Sequence, residues 1–159
     1  MAEPYVRGSV ETDVNELSPN LRASDILELK AVSNINHKEV LRLAYLHSVE
    51  PKTIIGPKGN VIGMFGVVPS MIENTGCIWC LASSELFDVR FPFLKQCKEE
   101  VDKLFLNNFI LYNFVDERNI KSIKWLKYMG FNVEREPTTY GIEKRPFRYF
   151  YKARGLKNV

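Results

Sequence analysis

No apolar run in the chain approaches the roughly 18 to 20 residues that a membrane span needs. The start, MAEPYVRGSVETD, lacks an apolar stretch behind a basic one, which argues against a secretory signal and for a chain that stays in the cytosol. Cysteine is scarce, three among 159 residues. An odd number builds no disulfide framework, and a reducing compartment fits that scarcity. Only two histidines occur, His37 and His47. They fall on different faces of one expected helix, and no second cysteine pair joins Cys77 and Cys80, so no metal site is expected. The excess of positive charge is slight, +3, too little to imply a nucleic-acid partner by charge alone. There is no repeat, no low-complexity segment and no linker. One domain is expected over residues 1–152, followed by a flexible basic tail at 153–159. Glycine is absent between Gly76 and Gly130, an absence that matters below.

What is present is ordinary for a globular chain: 45% hydrophobic and 26% charged residues. Residues 5–10 read as a strand and 11–22 as a loop. Ser24 is the expected cap of a helix ASDILELKAV, and Asn36 of a second, HKEVLRLAYLHSV, whose apolar residues recur at helical spacing. The segment KTIIGPKGNVIGMFGVV holds two apolar runs around Gly56–Asn60, a hairpin signature. Cys77–Ala82 reads as a strand buried on both faces. Ser83 or Ser84 would cap a long helix over 85–107, with a core stripe at Leu94, Cys97, Val101, Leu104 and Asn108. Phe109–Val115 is another buried strand. Strand, helix, strand in this order predicts a right-handed crossover and a parallel pair. A helix NIKSIKWLKYM should end at Gly130 in left-handed conformation. Then follow a strand from Phe131, a turn at 137–141 and a final strand PFRYFYK.

The order of elements, and the run Asn119, Ser122, Ile123, Leu126, Gly130, Phe131, resemble the GNAT superfamily of N-acyltransferases along nearly the whole chain. The resemblance implies an α/β fold: a mixed central sheet with a parallel central strand pair, flanked by helices. A narrower likeness rests on ASDILELKA, on Gly76–Ser84 and on the Asn119 helix. By these the chain is similar to the small GNAT-like internal or morphogenesis proteins of short-tailed bacteriophages. That likeness implies a protein partner, in phage or host, and a place in the host cytoplasm or the virion. In an active member, acetyl-CoA would lie between the strands ending near Leu81 and Val115. Backbone groups of Leu81 and Ser83 would pair with the pantetheine, Asn119 would hydrogen-bond it, and Ser122 would line the thiol end.

Two departures bear on that site. The superfamily holds the coenzyme diphosphate with a glycine-rich loop ahead of the long helix, where backbone amides approach the phosphates closely. This chain has LASSELFDVRFPFLK there, without glycine and with Glu85 and Asp88; only the side chains of Arg90 and Lys95 offer compensation. Leu126 stands where many members carry a tyrosine acid, and Tyr128 lies about 200° around the helix from it, so no catalytic residue is assigned. Glu73 is a solvated loop carboxylate before it is a base. Cys77 and Cys80, in a strand, point to opposite faces and read as packed core thiols rather than a redox pair. Phe91, Phe93 and Trp125 read as core. The basic and aromatic residues of the last third fit a half-exposed edge strand better than a stacking platform for single strands. Two functions stay open: a partner-binding protein degenerate in acyl-CoA binding, and an active acetyl-CoA-dependent N-acetyltransferase on an unknown amine.

Overall fold

The computed structural model describes residues 2–89 and 91–155. In chain order they form β1 (Tyr5–Gly8), α1 (Glu11–Leu17), α2 (Ala23–Val32), α3 (His37–His47), β2 (Val49–Ile55), β3 (Val61–Pro69), β4 (Thr75–Ala82), α4 (Phe91–Lys103), β5 (Ile110–Asp116), α5 (Ile120–Tyr128), β6 (Asn132–Val133), β7 (Thr138–Tyr140) and β8 (Arg145–Ala153). The eight strands make one sheet in the order β1-β2-β3-β4-β5-β8-β6, with β7 also beside β8. Strand alternation supplies the sheet with two apolar faces. Ile55, Val61, Met64 and Leu81 pack against Val14, Leu17 and Leu41 of α1 and α3. Ile54, Ile62, Phe65, Ile78, Leu111 and Phe150 pack against Phe93, Cys97 and Val101 of α4, with Met129 and Phe131 after α5.

The expected parallel pair is there. Thr75, Gly76 and Cys77 lie opposite Ile110, Leu111 and Tyr112, and α4 makes the crossover between β4 and β5. The hairpin closes through Gly56 N–H to Asn60 O at 2.8 Å. Asn36 Oδ1 caps α3 by accepting from Lys38 N–H at 2.9 Å. Gly130 ends α5 at φ +92°, as its role in a left-handed cap requires.

The departures from expectation have local causes. Residues 11–17, read as loop, form α1. Val14, Leu17 and Leu21 are all buried, at the three- and four-residue spacing of a helix face. Asp13 nucleates the turn by accepting from Val10 N–H at 2.9 Å. Burial works against this carboxylate, but the fork from Arg7 and bonds from Val10 and Thr53 outweigh it and hold Asp13 below the usual range. Ser24 is not the cap of α2; Arg22 occupies that position. The long helix of 85–107 is three pieces: a 3-10 turn at Ser84–Asp88, α4, and another 3-10 turn at Leu104–Leu106. Pro92 explains the first break, because proline fits only the first turn of a helix and so sets the start of α4. Ser83 starts the first 3-10 turn without a side-chain cap.

The expected turn at 137–141 contains β7, paired to β8 at Thr138↔Phe147. β8 is no edge strand, since it sits between β5 and the short β6 and β7. Its aromatic residues therefore meet neighbours on both sides, as in the Phe114–Tyr149 contact with β5 and the Tyr140–Phe147 contact with β7. β8 also runs one residue past its expected end. Beyond it Arg154 Nε donates to Phe105 O at 2.6 Å. Residues 156–159 of the expected tail, and Arg90, lie outside the described residues.

Candidate functional site

After three paired residues β4 and β5 part, and Asn113 is the reason. Its Nδ2 donates to Ile78 O at 2.7 Å, and its Oδ1 accepts from Phe114 N–H at 2.8 Å. One side-chain amide thus takes over both main-chain groups that would have continued the ladder, and the strands splay beyond it. The splay opens a cleft of about 260 Å³ whose walls include Trp79, Cys80, Phe114, Trp125, Leu126 and Tyr140.

The register of β3 and β4 decides which backbone groups face this cleft. Ser83 N–H donates to Ile62 O across the pair at 3.0 Å. Antiparallel ladders alternate bonded and unbonded pairs, so Leu81, opposite Met64, also bonds to β3. The groups turned toward the splay belong to Ile78, Cys80 and Ala82. They are one residue out of step with Leu81 and Ser83.

Ile78 is met by Asn113, and Ala82 is met from α2. Arg22 N–H donates to Ala82 O at 3.0 Å, and Ala82 N–H donates to Asp25 Oδ2 at 3.0 Å. The first turn of α2 therefore lies along the end of β4 as an extra strand would. The Arg22 guanidinium pairs with Asp25 Oδ1 at 2.7 Å, donates to Ser122 Oγ at 2.5 Å, and lies 4.3 Å over the Phe87 ring. Phe87 in turn meets Trp125 edge-on at 5.5 Å. This chain of contacts links α2, the turn after β4, and α5 across one mouth of the cleft.

A cluster of acids lies behind that link. Glu28 Oε1 accepts from Asp116 N–H at 2.6 Å, and Glu28 Oε2 accepts from Asn119 Nδ2 at 3.4 Å. Asn119 is buried, and its Oδ1 accepts from Ser122 N–H at 3.4 Å. Its amide is thus turned to α2 and its own helix, and Asn119 is not among the residues that line the cleft. Asp116 pairs with Arg118 at 2.7 Å. Burial raises Glu28 to about 7, and Asp25 and Asp116 push the same way against the two hydrogen bonds. Burial also raises Asp25, opposed by Arg22.

The folded protein therefore holds a proton on Glu28 more tightly than the unfolded chain does. That contribution is fully present below about pH 4.5 and is lost as pH rises through about 7. Glu28→Gln keeps an acceptor for Asp116 and removes the charge. Its stability relative to the native sequence should rise by roughly 1–3 kcal/mol between pH 5 and 7.5, since one unit is worth about 1.4 kcal/mol. Urea unfolding at both pH values measures this; parallel pH profiles would refute it.

By the resemblance, a coenzyme diphosphate would sit at the turn after β4. Its amides are partly spent: Ser83 N–H on Ile62 O, and Leu86 N–H on Ser83 O at 3.2 Å. Glu85 is fixed by Asn60 Nδ2 at 2.9 Å, and Asp88 is exposed. Of the two thiols expected to pack in the core, Cys77 is half-buried and Cys80 is exposed on the cleft, while Cys97 is buried on α4 as its stripe position predicts. Glu73 is exposed on its loop, and Phe93 is core while Trp125 borders it. Among the described residues no group of three His, Cys, Asp or Glu is placed to hold a metal, and no helix is long and apolar enough to cross a membrane.

Two helical layers on a sheet that splays between β4 and β5 can be compared with known structures. A spermidine N-acetyltransferase from Vibrio cholerae, solved with CoA and spermine, superposes with TM-score 0.69 at 14% identity over 95% of both chains. A ribosomal-protein-S5-alanine acetyltransferase from Vibrio fischeri gives 0.68 at 16% identity, over 100% of this chain and 97% of the other. A GNAT-family acetyltransferase from Bacillus anthracis gives 0.68 at 13%, over 96% of each. The chain has the GNAT fold. No family model matches its sequence, and no curated protein does.

The diphosphate would meet a glycine-free turn bearing Glu85 and Asp88. The pantetheine would meet Ala82 groups already bonded to α2, and the Asn119 amide faces away. Leu81 borders the cleft, but its side chain packs on the opposite face with α1 and α3. Only Ser122, of the four residues expected to serve the coenzyme, presents its side chain to the cleft, and there it accepts from Arg22. Arg22, Asp25, Glu28 and Asn113 were not singled out from sequence. Their signals were present: charges spaced by three on one helix, and an amide inside the apolar run FILYNFV.

Proposed function

We propose that this GNAT-fold chain is degenerate in acyl-CoA binding and works by holding a protein partner. The observation that carries the reading is the first turn of α2 bonded along β4, with Arg22 N–H and the Asp25 carboxylate on the two main-chain groups of Ala82. A thioester ligand would have to displace a buried ion pair to reach them. The likeness to internal and morphogenesis proteins of short-tailed phages supports a partner in virion assembly, met in the host cytoplasm or the virion.

Calorimetric titration with acetyl-CoA tests the reading. Losing two charge-assisted hydrogen bonds at about 1.5–3 kcal/mol each weakens a micromolar site by roughly 3–6 kcal/mol, to millimolar or beyond. No heat is expected below about 1 mM ligand. Low-micromolar binding that disappears in Ser122→Trp would restore the second reading, an acetyl-CoA-dependent N-acetyltransferase acting on an amine. The open splay, with Cys80 main-chain groups facing it, is what favours that second reading.

A further inference from the structure

At the end of β4 away from the splay, the turn joining β3 to β4 carries Met71 fully exposed and Ile72 at 71% exposure. Leu106, at 79%, and Val49, at 52%, lie at the same end. The turn is firmly held. Ser70 N–H donates to Thr75 O at 3.0 Å, Ile72 N–H donates to Ser70 Oγ at 3.1 Å, and Asn74 O accepts from Phe109 N–H at 2.6 Å. Beside it runs a groove of about 520 Å³ between the starts of β2 and β4 and the end of α4. Val49, Ile72, Leu104 and Leu106 line it. An apolar tip held rigidly beside a groove that carries an apolar strip among polar walls is the surface of a contact rather than of a solvated end.

The charges around the groove indicate what covers it. Arg7 and Lys103 are spent on Asp13 and Glu100. Lys52, Glu50 and Glu73 also line the groove, and no hydrogen bond or ion pair engages their side chains among the described residues. Free charges of both signs around one apolar strip make the patch complementary to itself. A two-fold contact has that requirement, because the same patch must serve on both subunits.

We infer that this end of the sheet is a two-fold interface with a second copy of the chain. Ile72 of each copy enters the groove of the other, and Lys52 faces Glu73 across the axis. The interface lies at the far end of β4 from the cleft, so it is independent of whether coenzyme A binds.

Sedimentation velocity over about 5–200 µM reads the monomer–dimer equilibrium directly. The native sequence is expected to dimerise within this range. Ile72→Asp should weaken the dimer at least about tenfold, because it forces a charge into the place of an apolar side chain at the centre of the interface. It should leave the melting midpoint of the monomer unchanged, because Ile72 is exposed. Lys52→Glu should weaken the dimer, and Lys52→Glu with Glu73→Lys should restore it. A protein that stays monomeric at the top of the range overturns the inference and leaves the patch to a different partner. So does a dimer indifferent to Ile72→Asp, or a charge swap that restores nothing.

Discussion

Asp25→Ala should cost about 3–5 kcal/mol of folding stability, the range found when one partner of a buried ion pair is removed. Asp25 is 2% exposed. Its two oxygens hold Arg22 Nη2 and Ala82 N–H. Alanine leaves a guanidinium whose side chain is 10% exposed without its counter-charge, and leaves a strand amide without an acceptor. Either loss alone is expensive in an interior. Asp25→Asn separates the two. Its Oδ1 still accepts from Ala82, so the strand bond survives while the charge is lost, and a cost of roughly half is expected. Equilibrium urea unfolding of the three proteins at pH 7 measures both steps. A loss below about 1 kcal/mol in the alanine variant would mean that α2 is not tied to β4 by this pair.

That tie also ranks the two functions. A fold shared with acetyltransferases at 13–16% identity carries the sheet and the splay, but chemistry resides in the groups placed within them. Here, apart from the Cys80 main-chain groups, the groups around the splay bond within the protein: Asn113 to Ile78, Asp25 to Ala82, Glu28 to Asp116, Arg22 to Ser122. Each would serve a ligand only by first leaving a partner inside the protein. In the proposed reading these bonds make the cleft a structural joint between α2 and the strands, and they are what ranks partner binding first.

The sheet, its parallel pair and the caps at Asn36 and Gly130 were legible because each has a short-range signature. Apolar runs bounded by turn residues, an amide at a helix start, and a glycine at a helix end act within a few residues of sequence. The splay was legible only by resemblance, because its cause is a long-range substitution. Asn113 reads as a mild blemish in an apolar strand until Ile78 is seen beside it. Likewise α1 looked like loop because Asp13, Ser18 and Pro19 are turn formers taken singly. What tips the segment to helix is Arg7 and Thr53 gathering around Asp13, with Thr53 forty residues away in sequence. The Asn119 amide was assigned to the cleft by resemblance. Its direction was settled by Glu28, ninety-one residues distant. The broken helix at 85–107 is different in kind, since Pro92 was a local signal that the apolar stripe outvoted.

Gly141→Ala should be among the most damaging conservative changes in the chain, at about 3 kcal/mol or more. Gly141 has φ +77°, and a β-carbon in the left-handed region costs about 1–2 kcal/mol by itself. The added carbon would also overlap Ala31 O and come within 2.7 Å of Val32 Cα. Both are backbone atoms at the end of α2, so they cannot swing aside as a side chain would, and overpacking adds roughly 1–3 kcal/mol. The approach is close because the turn after β7 closes α2: Ile142 N–H donates to Val32 O and Glu143 N–H to Ala31 O, at 3.2 and 3.1 Å. Those carbonyls would otherwise lack partners at the helix end. Pushing the turn away also disturbs Tyr140, stacked on Phe114 at 4.3 Å in the cleft wall. Gly59→Ala is the control. Gly59 has φ +83°, but its added β-carbon would meet nothing within 4 Å, so only the conformational part of about 1–2 kcal/mol should appear. Urea unfolding of the two variants isolates the contact with α2 as their difference. Equal losses would show that the turn yields without strain, and that the end of α2 is not seated on it.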